Sequence, residues 1–201
     1  MFVMEEFDQH FVSHVFIFVH YMTMKQTNTF ILSSLLIILL ASYKTNADVR
    51  YDNEFLDAHN QARRRAGMPP FTYDQTLAKY ARNYALSHAN DCALKHSNGP
   101  YGENLFWGSP EGSGWKWTPK DAVYAWVREH KNYDKKKNSC LPGKKCGHYT
   151  QIMWRDTKKV GCALSYCNNK STYVACEYYP PGNFEGLSPF KRHDPIIYGE
   201  I

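Results

Sequence analysis

Val160 to Tyr179 reads VGCALSYCNNKSTYVACEYY. Two runs rich in β-branched and aromatic residues, Val160 to Cys167 and Thr172 to Tyr179, flank the polar Asn168-Asn169-Lys170-Ser171, which is the pattern of a β-hairpin. With the turn centred near Asn169, Cys162 and Cys176 stand opposite each other in an antiparallel pair, close enough to bridge. Cys167 follows Cys162 at an odd spacing and therefore points to the other face of the sheet.

Helical periodicity lies upstream. Phe55, Leu56, His59, Ala62 and Ala66 recur at helical spacing after Asp52, a candidate N-cap, until Gly67 and Pro69-Pro70 end the pattern. Asp74 can cap a second helix, with Leu77, Ala81, Tyr84, Ala85 and His88 on one face up to about Asn90. Thr118-Pro119-Lys120-Asp121 marks a third start, running to about Lys131 with Ala122, Val123, Trp126 and Val127 as its apolar stripe. Between the second and third helices, Asn98 to Trp117 is rich in Gly and Trp and reads as a strand plus a long loop, a length that often carries function.

The cysteines follow from this layout. Cys92, at the end of the second helix, is placed to meet Cys167; Cys140 and Cys146 close a short loop; Cys162 pairs with Cys176. Six cysteines allow fifteen pairings, and this is the expected one. No Cys-x-x-Cys occurs, so neither thioredoxin chemistry nor a zinc ribbon is indicated. An even cysteine count belongs to an exported protein. Phe30 to Ala41 supplies the apolar core of a signal peptide, and Thr45 and Ala47 the small residues of a cut after Ala47. Met1 to Thr23 holds a second apolar segment, Phe11 to Met22, interrupted by His14 and His20. It reads as extra sequence ahead of a start at Met22 or Met24, with the rival that both segments form a membrane anchor. The expected layout is an extension and signal over 1–47, one domain over 48–190 and a tail over 191–201.

The 201 residues are 43% hydrophobic, as in a globular protein. Without residues 1–47, 22 Lys and Arg face 16 Asp and Glu, a net charge of +6. That balance favours anionic lipid surfaces or acidic cell-wall polymers, while export argues against nucleic acid. Lys135-Lys136-Lys137 and Lys144-Lys145 flank the Cys140–Cys146 loop and could contact such a polymer. Asn169-Lys170-Ser171 fits a glycosylation acceptor, poorly presented at a tight hairpin tip.

Two segments carry a family resemblance. GHYTQIMWRDT, Gly147 to Thr157, matches the first signature of the CAP superfamily (cysteine-rich secretory, antigen 5 and pathogenesis-related 1 proteins) at every position. YVACEYYPPGNF, Tyr173 to Phe184, resembles the second, with Glu177 where the family usually has Asn or a similar small polar residue. Ala58-His59-Asn60, Gly102-Glu103-Asn104-Leu105 and Trp126-Val127-Arg128-Glu129 add support, and Tyr73 stands where a Trp is common. The six-cysteine arrangement is similar to that of the plant pathogenesis-related 1 branch. The resemblance covers Tyr51 to Phe190 and implies an α+β fold, a three-layer α-β-α sandwich around a central, mainly antiparallel sheet.

It further implies that His96, Glu103, Glu129 and His148 converge in a cleft; two imidazoles and two carboxylates suit a divalent ion such as zinc, or acid–base work, though no cofactor is required. Sequence spacing alone does not show this set. The alternative is that the four side chains brace loops. No activated nucleophile is visible, so the expectation is a non-enzymatic monomer, with a metal-dependent hydrolase as runner-up. The resemblance also implies sterol binding and antimicrobial defence in the apoplast, with the vacuole as the other destination. Tyr101, Phe106, Trp107, Trp115 and Trp117 are candidate lipid contacts. Pro180 to Phe190 resembles a releasable C-terminal signal peptide, cut between Tyr179 and Pro180, where Asp is commoner before the cut.

Overall fold

The computed structural model describes residues 9–110, 116–194 and 197, so Trp115 lies outside the described residues. The chain divides into two compact units, Met1–Asp48 and Val49–Ile201. The first is helical from Gln9 and leaves Phe30, Ile31, Leu32 and Leu35 to Ile38 exposed. No helix among the described residues is long and apolar enough to cross a membrane.

In the second unit the elements run α1 (Gln9–Arg65, of which residues 49–65 belong here), β1 (Thr72–Tyr73), α2 (Gln75–Ser87), β2 (Gly102–Gly108), α3 (Pro119–Val127) tightening into a 3-10 turn (Arg128–Asn132), β3 (Tyr133–Asp134), β4 (Ser139–Cys140), α4 (Gly147–Met153), β5 (Lys159–Tyr166) and β6 (Thr172–Tyr179). The four-stranded sheet has the order β1-β5-β6-β2, antiparallel except for the β1–β5 pair. β3 and β4 form a separate small ladder. On one face, Val160, Cys162, Val174, Cys176 and Tyr178 pack with Phe55, Ala58 and Ala62 of α1, Ala122, Val123 and Trp126 of α3, and Tyr149, Ile152 and Met153 of α4. The opposite face, with Ala163, Tyr173 and Ala175, is covered by Ala81 and Ala85 of α2. This is the three-layer α-β-α arrangement.

Local chemistry sets the element ends. Asp74 caps α2 by accepting from the N–H groups of Thr76 and Leu77. Thr118 and Asp121 form a reciprocal capping box on α3, with Pro119 in the first turn. Asp52 does not cap a helix: α1 runs through it, and its carboxylate accepts from Tyr73 Oη at 2.6 Å and Gln75 Nε2 at 2.8 Å. Position 161 admits no side chain, because a Cβ there would collide with Ala78 N and Asp74 O, so Gly161 lets α2 lie directly on β5. The bridges are Cys92–Cys167, Cys140–Cys146 and Cys162–Cys176, with Cα separations of 6.0, 5.5 and 4.1 Å.

Arg63 joins the layers. Fully buried, it donates to the carbonyls of Pro69, Ile152 (2.7 Å), Trp154 (2.9 Å) and Thr157 (3.4 Å), and its guanidinium carbon sits 3.9 Å from the centre of the Phe71 ring. Lysine carries the same charge but cannot fork to four acceptors. Arg63→Lys is therefore expected to lower unfolding stability in urea by about 2–4 kcal/mol, since carbonyls left buried without donors each cost about 1–3 kcal/mol.

Candidate functional site

His96 and Glu103 come from neighbouring parts of the chain, the loop after α2 and the start of β2. His96 Nδ1 and Glu103 Oε1 are 2.6 Å apart, and Ser97 N–H also donates to the carboxylate. Glu129 and His148 meet across the 3-10 turn and α4, with His148 Nδ1 2.8 Å from Glu129 Oε1. The N–H groups of His148 and Tyr149, at the start of α4, donate to the other oxygen of Glu129. Burial works against the Glu129 carboxylate, but the hydrogen bond and charge of His148 and these two N–H groups outweigh it and hold its pKa below the ordinary value.

Both imidazoles thus have Nδ1 facing a carboxylate, which makes Nδ1–H the donor; Nε2 is an acceptor only where the ring is neutral. His96, Glu103 and His148 line one cleft of about 340 Å³ with Leu94, Lys145 and Asn183, and Glu129 stands behind His148. The arrangement is two His–Glu pairs facing a common space. Among the described residues no three of these ligand atoms lie within 4.8 Å of one another. An imidazole whose Nδ1–H is fixed by a carboxylate is the usual form of a metal-ligating histidine, so the donor chemistry of the two rings fits a divalent ion, which His96 and His148 would hold. The one closer group, His59 with Cys162 and Cys176, offers no thiolate because its sulfurs are bonded to each other.

A chain of neutral hydrogen bonds supports the cleft floor. His59 Nδ1 is 2.7 Å from Phe55 O and its Nε2 is 2.9 Å from Tyr178 Oη; Asn104 donates to Tyr178 Oη and to His148 O. Burial pushes the His59 pKa down to about 4, so the ring is neutral, donates through Nδ1 and accepts from Tyr178. α1, β6, β2 and α4 are joined in this way beneath the site.

Glu177 adds a third carboxyl group. It is fully buried on β6, directly opposite Glu103 of β2, and neither of its oxygens has a donor. Burial and the charge of Glu103 push its pKa up to about 9. At neutral pH it is therefore an acid whose O–H can donate to the Glu103 carboxylate. The sequence flagged Glu177 only as a departure from the family signature; its period-2 position among buried β6 residues was the available signal.

A second concavity of about 560 Å³ lies between α1 and α3. Ala62, Ala66, Val127, Tyr149 and Met153 form an apolar floor, and Arg65, Arg128, His130 and Lys135 stand around it. Phe190 supports this rim, with Lys135 Nζ 4.6 Å from its ring centre.

The sequence profile of the cysteine-rich secretory protein (CAP) family matches residues 56–178, which spans both His–Glu pairs. The chain belongs to the CAP family. Its relatives include pathogenesis-related protein PR-1 of Medicago truncatula, 50% identical over 141 residues that cover 70% of this chain and 79% of the relative. Pathogenesis-related protein 1A of Nicotiana tabacum is 47% identical over 160 residues, 80% of this chain and 92% of the relative. Among solved CAP structures, NaASP2 with Zn2+ superposes with a TM-score of 0.56 at 27% identity, covering 72% of this chain and 87% of that one. Na-ASP-1 gives a TM-score of 0.57 at 24% identity, covering 72% and 42%, and bears on the fold alone.

Within this CAP domain the other candidate residues are scattered. Tyr101 packs edge-on against Tyr80, Phe106 against Trp117, and Trp117 donates to Ser109 O; Trp107 is 43% exposed. None of the four lines the apolar groove. Tyr179 and Pro180 join the end of β6 to a segment fastened along α4. Gly182 N–H donates to Gln151, Thr150 to Asn183 Oδ1, Asn183 Nδ2 to Gly147 O, and Thr157 to Pro180 O.

The Glu177 pKa has a consequence for stability. An acid raised from 4.5 to about 9 binds its proton more tightly in the folded than the unfolded chain, so its contribution is present below pH 4.5 and lost as pH rises towards 9. Glu177→Gln keeps a donor towards Glu103 and has nothing to ionise. Its melting temperature is expected to exceed that of the parent above neutral pH and to change less across this window, as followed by circular dichroism.

Proposed function

We propose that the chain is a plant defence protein of the pathogenesis-related 1 type, exported to the apoplast and acting by sequestering a sterol or related lipid from microbial membranes. The observation that carries the lipid reading is the groove between α1 and α3. Its volume lies in the range of small-molecule sites, and its floor is apolar while its rim is cationic, which suits an amphiphile with a polar or anionic end. Relatives named for pathogenesis support the defence role. The exposed apolar helical stretch around Phe30 to Ile38 supports an export signal, cut after Ala47.

This reading moves the lipid site from the loop aromatics to the groove, and the two are separable. In a binding assay with labelled sterol, Val127→Asp is expected to weaken affinity at least about tenfold by placing a charge in the apolar floor. Trp107→Ala should leave affinity within about twofold. Loss with Trp107→Ala and retention with Val127→Asp would return the site to the loop.

Binding rather than catalysis also accords with the engaged side chains. All six cysteines are bridged, and the Ser97 hydroxyl accepts from Gly99 N–H rather than meeting an imidazole. A second reading, zinc held by His96 and His148, is favoured by their carboxylate-fixed rings and by a 27% identical relative solved with Zn2+. Calorimetric titration with zinc should show one site that His148→Ala removes and Trp107→Ala does not. The peptide-signal reading fits the same structure under one condition: Pro180 to Phe190 is bonded along α4, so release follows opening of those bonds.

A further inference from the structure

At the β1 side of the sheet, a separate cleft of about 550 Å³ opens between the Pro69-Pro70 bend, the turn from Arg155 to Lys158, and Arg192-His193. It shares no residue with the His–Glu cleft or the apolar groove. Arg155, Lys158 and Arg192 line it, and none has an ion-pair partner among the described residues. The sole acid in its wall, Asp156, is engaged by the N–H and Nδ1 of His193 at 2.8 and 3.0 Å. Buried Arg63, bonded to the carbonyls of Pro69 and Thr157 in that wall, adds a fourth positive charge. Burial first, and repulsion from Arg155 second, push its pKa down to about 10.

The backbones that carry these cations are fixed. Arg155 N–H donates to Pro189 O at 2.8 Å, Lys158 N–H to Tyr179 O at 2.9 Å, and Thr72 N–H to Lys158 O at 2.9 Å. His193, next to Arg192, stacks on Trp154 with centroids 5.0 Å apart. A standing cluster of like charges costs electrostatic energy unless an anion offsets it, and fixed backbones lower the cost of holding one.

The geometry points to this cleft as a binding site for a linear polycarboxylate, an oligomer of uronic acid units whose carboxylates engage Arg155, Lys158 and Arg192 beside the exposed Pro69-Pro70 rings. Guanidinium forks match carboxylates in two-point contacts. Three cations on two separate segments fit an extended ligand better than a single small ion. The remaining wall offers Pro69, Pro70 and Thr157 but no long apolar side chain to enter a bilayer, which separates the site from a membrane surface.

The test is calorimetric binding of galacturonic acid oligomers to the purified full chain at about 0.15 M salt, where weak surface attraction is largely screened. Combined Arg155→Gln, Lys158→Gln and Arg192→Gln should weaken binding at least about tenfold. Lys135→Gln, Lys136→Gln and Lys137→Gln together remove equal charge and should change it less than about threefold. Should the first triple variant fail to fold, Lys158→Gln and Arg192→Gln singly, both at exposed positions, are each expected to weaken binding. Equal losses in the two triple variants, no measurable binding, full competition by inorganic phosphate, or tighter binding to phosphatidylserine vesicles through the same cations would each overturn the proposal. Because the clefts are disjoint, sterol affinity should be unchanged in the first triple variant whichever way this test falls.

Discussion

Arg63 is a buried cation that meets no carboxylate in its contacts, only carbonyls and an aromatic face. Removing a guanidinium from water is costly, and the cost is offset only if its N–H groups all find acceptors. The acceptors are the ends of segments that have no ladder or helix partner for those carbonyls: Pro69 before β1, Ile152 and Trp154 at the close of α4, and Thr157 before β5. One side chain thereby fixes where α4 stops and how the chain turns into the central hairpin. The position of His148, at the other end of the same short helix, depends on that anchorage.

From α4 the constraint passes to the site. Asn104 reaches across from β2 to His148 O and to Tyr178, and Tyr178 reaches His59 on α1. Both ring nitrogens of His59 and the Tyr178 hydroxyl are engaged in this chain, with the histidine held neutral by burial. Glu177 is the exception nearby: its two oxygens face another carboxyl group and no donor. A protonated Glu177 converts that conflict into a hydrogen bond, with its O–H directed to Glu103 across the β2–β6 pair.

The sheet was legible because strand periodicity and cysteine spacing agreed. The odd and even residues of β5 and β6 separate into two cores, and Cys162 and Cys176 pair in register. Asp74 and Thr118 announced α2 and α3 through capping chemistry that acts within a few residues. Asp52 misled for the same reason: a carboxylate ahead of an apolar stripe resembles a cap, but tertiary donors from Tyr73 and Gln75 claimed it and α1 continued through. The His–Glu pairs were reached through family resemblance alone, since their members sit on one loop and three different elements at spacings that carry no signal. The apolar groove and the cationic cleft were invisible for a related reason. Each is lined by residues such as Ala66, Met153, Pro70 and Arg192 whose types are ordinary until the fold brings them together.

The three concavities also differ in the charge they present. Lysines and arginines around the groove stand over an apolar floor, which suits a ligand that brings hydrocarbon together with a polar or anionic end. Those at the β1 side stand over polar backbone and proline, so hydrocarbon gains nothing and repeated charge gains most. The His–Glu cleft has its carboxylates turned towards imidazoles, so the neutral rings would present nitrogen lone pairs to it, beside Lys145. Because the walls differ in chemistry and share no lining residue, the ligands proposed for them would not compete for the same side chains. The groove and the His–Glu cleft nevertheless meet directly at the start of α4, where Tyr149 lines the groove and gives its N–H to Glu129, the partner of His148.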